Sequence, residues 1–291
     1  MKKLIKKIDN LAKSEGINKS HIDGVITYRA SKDGERSPLV YNQGIIFIVQ
    51  GSKKVYKNDV AFDYNPDNFL VLTVPLPLEC EAKTENGKPL LGIIVDIETS
   101  VLNSIINLMN QEVSLKNLNS HERNCGLFTS ALDEPIENIL LRLTNVLESE
   151  ADSKVLGPSI IKELIYTIMK RENAAPLYSL AMKNTSLSKV ELALKEIHNN
   201  FDKPIDVNSL AGIVNMSLSS FHHTFKSVTS SSPIQYVKKI RLNKAKSFLI
   251  EENLQVSEVA RVVGYESVSQ FNREFKRYFG ATPGSLSKQV S

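Results

Sequence analysis

VSEVARVVGYESVSQFNREFKRYFGATP, residues 256–283, reads as a short helix, a turn at Gly264 and a second helix. Phe271, Phe275 and Phe279 recur at i, i+4 and i+8, which commits one face of that second helix to a core. The opposite face then carries Ser269, Gln270, Asn272, Arg273, Lys276 and Arg277. Arginine forks onto guanine O6 and N7, and glutamine or asparagine pairs with adenine N6 and N7, so such a face is suited to reading DNA base edges. Arg273 and Gln270, early in the helix, are the expected base readers; Lys276 and Arg277, further along, are the expected phosphate contacts.

The same pattern occurs a second time. In VNSLAGIVNMSLSSFHHTFKSVTSSSP, residues 207–233, Val207, Ala211 and Val214 match Val256, Ala260 and Val263 at an offset of 49. Phe221, Phe225 and Pro233 match Phe271, Phe275 and Pro283 at an offset of 50, so one extra residue sits in the second turn. Each copy has an alanine where two helices cross closely, a turn residue suited to positive φ (Asn215 or Gly264), and a Phe pair facing inward. The first reading helix offers Ser219, Ser220, His222, His223 and Lys226, with no arginine, His223 standing where Arg273 stands in the second. Between the copies, PIQYVKKIRLNKAKSFLIE reads as a helix with Ile234, Val237, Ile240, Leu242, Ala245, Phe248 and Leu249 available for burial. About 26 Å long at ~1.5 Å per residue, it is suited to holding two reading helices one turn of DNA apart. Lys239, Arg241 and Lys244 on it are expected phosphate contacts.

Charge follows the same division. Residues 187–291 hold fourteen Lys+Arg against nine Asp+Glu, whereas residues 1–186 hold twenty-two against twenty-three, so the excess positive charge sits in the last third. That asymmetry suits a polyanionic partner at one end.

Upstream, residues 1–16 read as a helix stopped by Gly16. From about Val25 to Ile97 the pattern changes to short apolar or alternating runs: ITYRA, LVYN, GIIFIVQG, KKVYKND, VAFDY, NFLVLTV, LECEAK and LLGIIVDI, divided by turn residues. Eight short strands imply a small barrel or sandwich. Helical periodicity returns at Thr99, then over about Glu134–Glu148 after Asp133 and Pro135, and again after Gly157 and Pro158. The last two segments make an apolar hairpin that is either a dimer surface or intramolecular packing. Residues 173–188, with proline and small polar residues and little periodicity, read as a linker.

The C-terminal hundred residues resemble the DNA-binding domain of AraC/XylS-type transcription regulators, with the pattern A-x-x-x-G-[FY]-x-[SD]-x-S-x-F-x-R-x-F-[KR]-x-x-x-G-x-[ST]-P. The matching residues are Ala260, Gly264, Tyr265, Ser267, Ser269, Phe271, Arg273, Phe275, Lys276, Gly280, Thr282 and Pro283. Two positions depart from it: Leu286 and Ser287 replace the Tyr-Arg pair that commonly follows the proline, and Ser230 stands where the first copy has its counterpart of Gly280. Residues 25 to about 110 are similar to the cupin-like N-terminal domain of one branch of that family. The resemblance implies an α+β chain of two domains. Residues 1–180 form a regulatory domain, with a cupin-like β-barrel at about 25–98 and helices at about 99–172, of which those from 134 to 172 are the candidate dimer surface. Residues 187–291 form an all-α DNA-binding domain with helix-turn-helix motifs at about 206–227 and 256–279, joined by a linker helix at 234–250. The expected partners are double-stranded DNA, a small-molecule effector and RNA polymerase; the apolar hairpin suggests a homodimer, and the charged N-terminus, with Lys6, Lys7 and Asp9 interrupting any apolar run, a cytoplasmic chain.

A cupin metal site needs two or three histidines and a carboxylate on neighbouring strands. The five histidines, His21, His121, His198, His222 and His223, all lie outside the strand region, so no metal is expected. Neither a G-x-S-x-G nucleophile motif, a phosphate-binding glycine loop nor a dinucleotide fingerprint occurs, so neither catalysis nor a cofactor is expected. No run of eighteen apolar residues occurs, and no membrane association is expected. Cys80 and Cys125 are expected as small buried apolar groups. A redox sensor using them, and an effector-binding protein acting through protein partners, remain alternatives. Tyr41, Tyr56, Tyr64 and Phe69 are expected in the core of the barrel or lining a pocket within it.

Overall fold

Alternation with period two in the N-terminal third, and helical periodicity after it, divide the chain as their side-chain directions require. The computed structural model describes residues 1–58, 60–109, 126–182, 184–252 and 254–287. Two units emerge: Met1–Arg36, Asn42–Leu76 and Cys80–Ser188 in the first, and Lys189–Ser291 with the strand segments Ser37–Tyr41 and Pro77–Glu79 in the second.

The first unit opens with α1 (Lys2–Leu11), whose Leu4 and Ile8 are fully buried. The strands follow in order: β1 (Gly16–Lys19), β2 (Val25–Ala30), β3 (Gly34–Tyr41), β4 (Gly44–Gln50), β5 (Ser52–Lys57), β6 (Val60–Tyr64), β7 (Asn68–Leu72), β8 (Leu76–Lys83) and β9 (Leu90–Asp96). Next come α2 (Thr99–Met109), β10 (Leu127–Ala131), α3 (Glu134–Val146), α4 (Glu150–Met169) and α5 (Ala175–Ala181). Six strands form one sheet in the order β1-β2-β9-β4-β7-β10, and four form another in the order β3-β8-β5-β6. In the large sheet Thr27, Ile93 and Phe47 stand in register across β2, β9 and β4, and all three are buried. Arg29, on the same face of β2, reaches back to Asp9 of α1. On the opposite face Tyr28 meets the ammonium of Lys53 from β5, 5.1 Å from its ring centre.

Gly16 does not stop the first helix but opens β1, a strand that pairs with β2. β10 lies between the segments read as helical, in a stretch given no element; its partner β7, in register from Leu127 opposite Leu72 to Ala131 opposite Asn68, makes it a strand. Helix α4 begins at Ser149, whose hydroxyl accepts from Asp152 N, and runs through Gly157 and Pro158 instead of starting after them. A proline normally disfavours helical backbone in the preceding residue by colliding with its Cβ. Gly157 has none, and one placed there would lie 2.4 Å from Ile22 Cδ1. The stretch read as a linker contains α5, with Ala175, Leu177 and Leu180 buried. Tyr64 and Phe69 are core, but Tyr56 is only half-buried, with the Arg36 guanidinium 3.8 Å from its ring centre. Cys80 is half-buried; Cys125 and His121 lie outside the described residues.

Apart from the strand segments Ser37–Tyr41 and Pro77–Glu79, the second unit is helical: α6 (Ser186–Asn199), α7 (Val207–Ile213), α8 (Leu218–Thr229), α9 (Pro233–Glu251), α10 (Val256–Val262), α11 (Val268–Phe279) and α12 (Pro283–Ser287). Around the second copy, Leu242, Ala245 and Leu249 of α9 pack with Val259, Ala260, Val263, Tyr265, Phe271 and Phe275. Around the first, Phe221 meets Phe225, and Phe225 meets Tyr236 edge-on, with ring centres 5.4 and 5.5 Å apart. Ile234, expected to be buried, is 44% exposed at the start of α9.

Candidate nucleic-acid interface

The two helix-turn-helix copies are equivalent down to individual backbone hydrogen bonds. Asn215 N donates to Gly212 O and Gly264 N to Arg261 O, both at 3.0 Å. Met216 N donates to Ala211 O and Tyr265 N to Ala260 O, both at 2.9 Å. Asn215 and Gly264 take φ of 52° and 82°, the left-handed conformation that turns the chain between the helices. Each reading helix then starts on a serine: Ser217 Oγ accepts from Ser220 N, and Ser267 Oγ from Gln270 N. This satisfies donors that a helix start leaves unpaired. The extra residue of the second copy is Glu266, between Tyr265 and that cap.

The reading helices also end alike. Ser230 N donates to Lys226 O and Gly280 N to Lys276 O, and both cap residues are left-handed, with φ of 59° and 75°. Ser230 therefore does the work of a glycine, so the departure noted in the sequence leaves the cap intact. The corresponding third helices, α9 and α12, both start on a proline, with Tyr236 N donating to Ser232 O and Leu286 N to Thr282 O.

With Phe221, Phe225, Phe271 and Phe275 turned inward and fully buried, the outward faces are fixed. On α8, Ser219, Ser220, His222, His223 and Lys226 are all exposed. On α11, Ser269, Gln270, Asn272, Arg273, Lys276 and Arg277 are exposed, and Gln270, Arg273, Glu274 and Arg277 line a shallow depression of about 330 Å³. The eleven candidate side chains of α8 and α11 thus lie on two equivalent exposed faces.

Arg241, on the helix between the two motifs, is placed differently. Its Nε donates to Phe201 O at 2.7 Å, Nη1 to Gly264 O at 2.8 Å and Nη2 to Lys203 O at 2.8 Å. Burial pulls its pKa below the ordinary arginine value. This guanidinium clamps the second turn to residues 201–203. Periodicity assigned Arg241 to the polar side of a helix but held no information about carbonyls up to 40 residues away.

Glu274 was not singled out by its sequence position. Its carboxylate accepts from Lys238 Nζ at 3.0 Å, Tyr265 hydroxyl at 2.9 Å and Gln270 Nε2 at 3.2 Å. Burial pushes this carboxyl up, but the hydrogen bonds outweigh it and hold the group below the usual carboxylate range. Burial, followed by the bond to Glu274, raises the Tyr265 phenol. The i, i+4 spacing to Gln270 was the available signal. Beside the first copy, His198 Nε2 of α6 lies 2.9 Å from the Tyr236 hydroxyl of α9, and burial pushes that imidazole down to about 4, keeping it neutral.

Comparison with known proteins agrees with this architecture. Residues 21–176 match the family described as AraC-type transcriptional regulator N-terminus, and residues 210–289 match a helix-turn-helix domain. The raffinose operon transcriptional regulatory protein RafR of Pediococcus pentosaceus is 28% identical over 151 residues, which is 52% of this chain and 53% of that protein. The RCS-specific HTH-type transcriptional activator RclR of Escherichia coli K12 is 40% identical over 84 residues, 29% of this chain and 30% of that protein. The chain thus spans about half the length of RafR and less of RclR. Among solved structures, an apo variant of ToxT from Vibrio cholerae superposes with a TM-score of 0.66 at 12% identity, covering 96% of this chain and 100% of that one. ToxT with an unsaturated fatty acid bound gives 0.62 at 13%, covering 94% and 97%. At such identities the likeness is one of fold.

Proposed function

The chain belongs to the AraC-type transcriptional regulators, and from that premise we propose that it binds a specific double-stranded DNA site through α8 and α11 together. The observation that carries this reading is the equivalence of the two motifs. Identical turn and cap hydrogen bonds present two exposed polar helix faces, and one of them bears Arg273, Lys276 and Arg277. Base discrimination lies mainly with Arg273 and Gln270 on α11. The arginine-free α8 extends and orients the contact through serine, histidine and Lys226. Arg241 is left out of the contact set because its donors are engaged within the fold. A small-molecule effector, for which ToxT with its bound fatty acid provides a parallel, acts through the sheet-rich unit. The hairpin of α3 and α4 pairs two protomers, a reading supported by Val155 and Leu156 on α4, which are 73% and 48% exposed. RNA polymerase is the partner through which the bound regulator acts.

A mobility-shift assay over a range of salt tests the core of this. Specific binding should survive unlabelled competitor DNA at near-physiological salt and fall with salt along a log–log slope. Replacing Lys276 and Arg277 by alanine should shrink that slope by about 2, because two phosphates would no longer be neutralised. Equal competition by any sequence would refute specific recognition, and an unchanged slope would remove both residues from the phosphate set.

A further inference from the structure

Glutamine reads adenine only when its amide faces one way: the carbonyl oxygen accepts from N6 and an amide N–H donates to N7. A glutamine on an exposed helix face rotates freely, and ordering it on contact weakens binding. Gln270 has, in addition, a competing local option. It stands three residues after the cap Ser267, the spacing at which such a side chain folds back onto the backbone N–H of the cap.

Glu274 removes both problems. Its side chain is only 14% exposed. Oε1 accepts from Lys238 of α9 and from Gln270 Nε2, while Oε2 accepts from the hydroxyl of Tyr265 in the turn. The carboxylate is therefore fixed by two elements other than its own helix. A carboxylate can only accept hydrogen bonds, so only the nitrogen end of the Gln270 amide can face it. The carbonyl oxygen is then turned away from Glu274, and one amide N–H remains, which are the acceptor and donor that adenine requires. The first copy lacks this arrangement: Ser220, Thr224 and Met216 stand where Gln270, Glu274 and Tyr265 stand in the second.

We propose that Glu274 is a positioning residue for sequence reading, locking Gln270 in the orientation that selects adenine at one base pair of the bound site. The proposal rests on the reading of α11 as a base-contacting helix. Its test is selection of bound duplexes from a random library by the full chain, comparing wild type, Gln270→Ala, Glu274→Ala and the double variant, with thermal unfolding measured in parallel. Gln270→Ala should lower the preference for adenine at one base pair by on the order of tenfold. Glu274→Ala should lower it at the same base pair by a similar factor, and the double variant should lose no more than either single one. Preferences elsewhere in the site should stay in place, which a merely structural role for Glu274 does not predict. If Glu274→Ala does not fold, Glu274→Met, which keeps the stem, carries the same comparison. Loss at different base pairs, additive losses, or an unchanged profile in the Glu274 variant would overturn the proposal. A wild-type chain that enriches no sequence at all would instead overturn the underlying reading of function, and the proposal with it.

Discussion

Replacing Gly264 by alanine should be among the most damaging single changes in the second unit, for two separable reasons. Its φ of 82° is left-handed, a conformation that disfavours a residue with a Cβ by about 1–2 kcal/mol. A Cβ there would also lie 2.3 Å from Asp202 O, 2.8 Å from Asp202 C and 3.0 Å from Arg241 Cζ. Backbone, not a flexible side-chain end, stands in the way, so the turn must move off residues 201–203. That movement strains the three carbonyl bonds of Arg241, and hydrogen bonds to a charged group contribute about 1.5–3 kcal/mol each. A total loss of about 3 kcal/mol or more follows. Gly280 is the internal control: its φ is 75°, but a Cβ would meet nothing within 4 Å, so Gly280→Ala should lose only about 1 kcal/mol. For a domain of this size that is a fall in Tm of about 4–8 °C, against on the order of 15 °C for Gly264→Ala. Asparagine separates the two causes. It tolerates left-handed backbone, so Gly280→Asn should be nearly neutral, while Gly264→Asn should recover only the φ part, about 1–2 kcal/mol, and keep the loss that comes from the close approach to Asp202. The assay is thermal and urea unfolding of the full chain followed by circular dichroism. Recovery of most of the lost stability in Gly264→Asn would show that φ alone governs the position and that the close approach to Asp202 is unimportant.

Arg241→Ala should lower stability by about 2–4 kcal/mol by orphaning carbonyls of residues 201, 203 and 264, whereas the exposed Arg273→Ala should change it by less than about 0.5 kcal/mol and relax preference at one base pair. An unchanged melt in Arg241→Ala together with weaker DNA binding would restore Arg241 to the phosphate contacts. His198 predicts a pH dependence. Its pKa in the fold, about 4, lies below its ordinary value of 6.5, so the unfolded chain takes up a proton that the folded one refuses. The stability it contributes is complete above pH 6.5 and is lost as pH falls towards 4, by about 3 kcal/mol at 1.36 kcal/mol per pH unit. Urea midpoints at about pH 7.5 and pH 5 should show this slope, and His198→Asn should flatten it; an equal slope in that variant would place its origin elsewhere.

Local repetition was enough to reveal much of the second unit. The Phe pairs, the alanines at the crossings and the left-handed turn residues are constraints on neighbours three to five positions apart, and the exposed faces of α8 and α11 follow from them. The eight strands between Val25 and Ile97 were legible because alternation is equally local. Features that depend on distant partners were not. LFTSA becomes β10 only because β7 offers it a register, and α4 passes through Pro158 because the preceding Gly157 carries no Cβ and packs against Ile22. The candidate interface divides in the same way. Sequence by itself determined which side chains of the reading helices face outward, since helix geometry and the buried phenylalanines leave them no other direction. Only the tertiary structure decided what two groups near them do. Arg241 meets carbonyls 23 to 40 residues away, and Glu274 gathers Lys238 from 36 residues away with Tyr265 and Gln270. A charge on a helix surface has the same sequence signature whether it faces solvent, a phosphate or a folded-back loop, because what it bonds is set by the packing of other elements and not by its own periodicity.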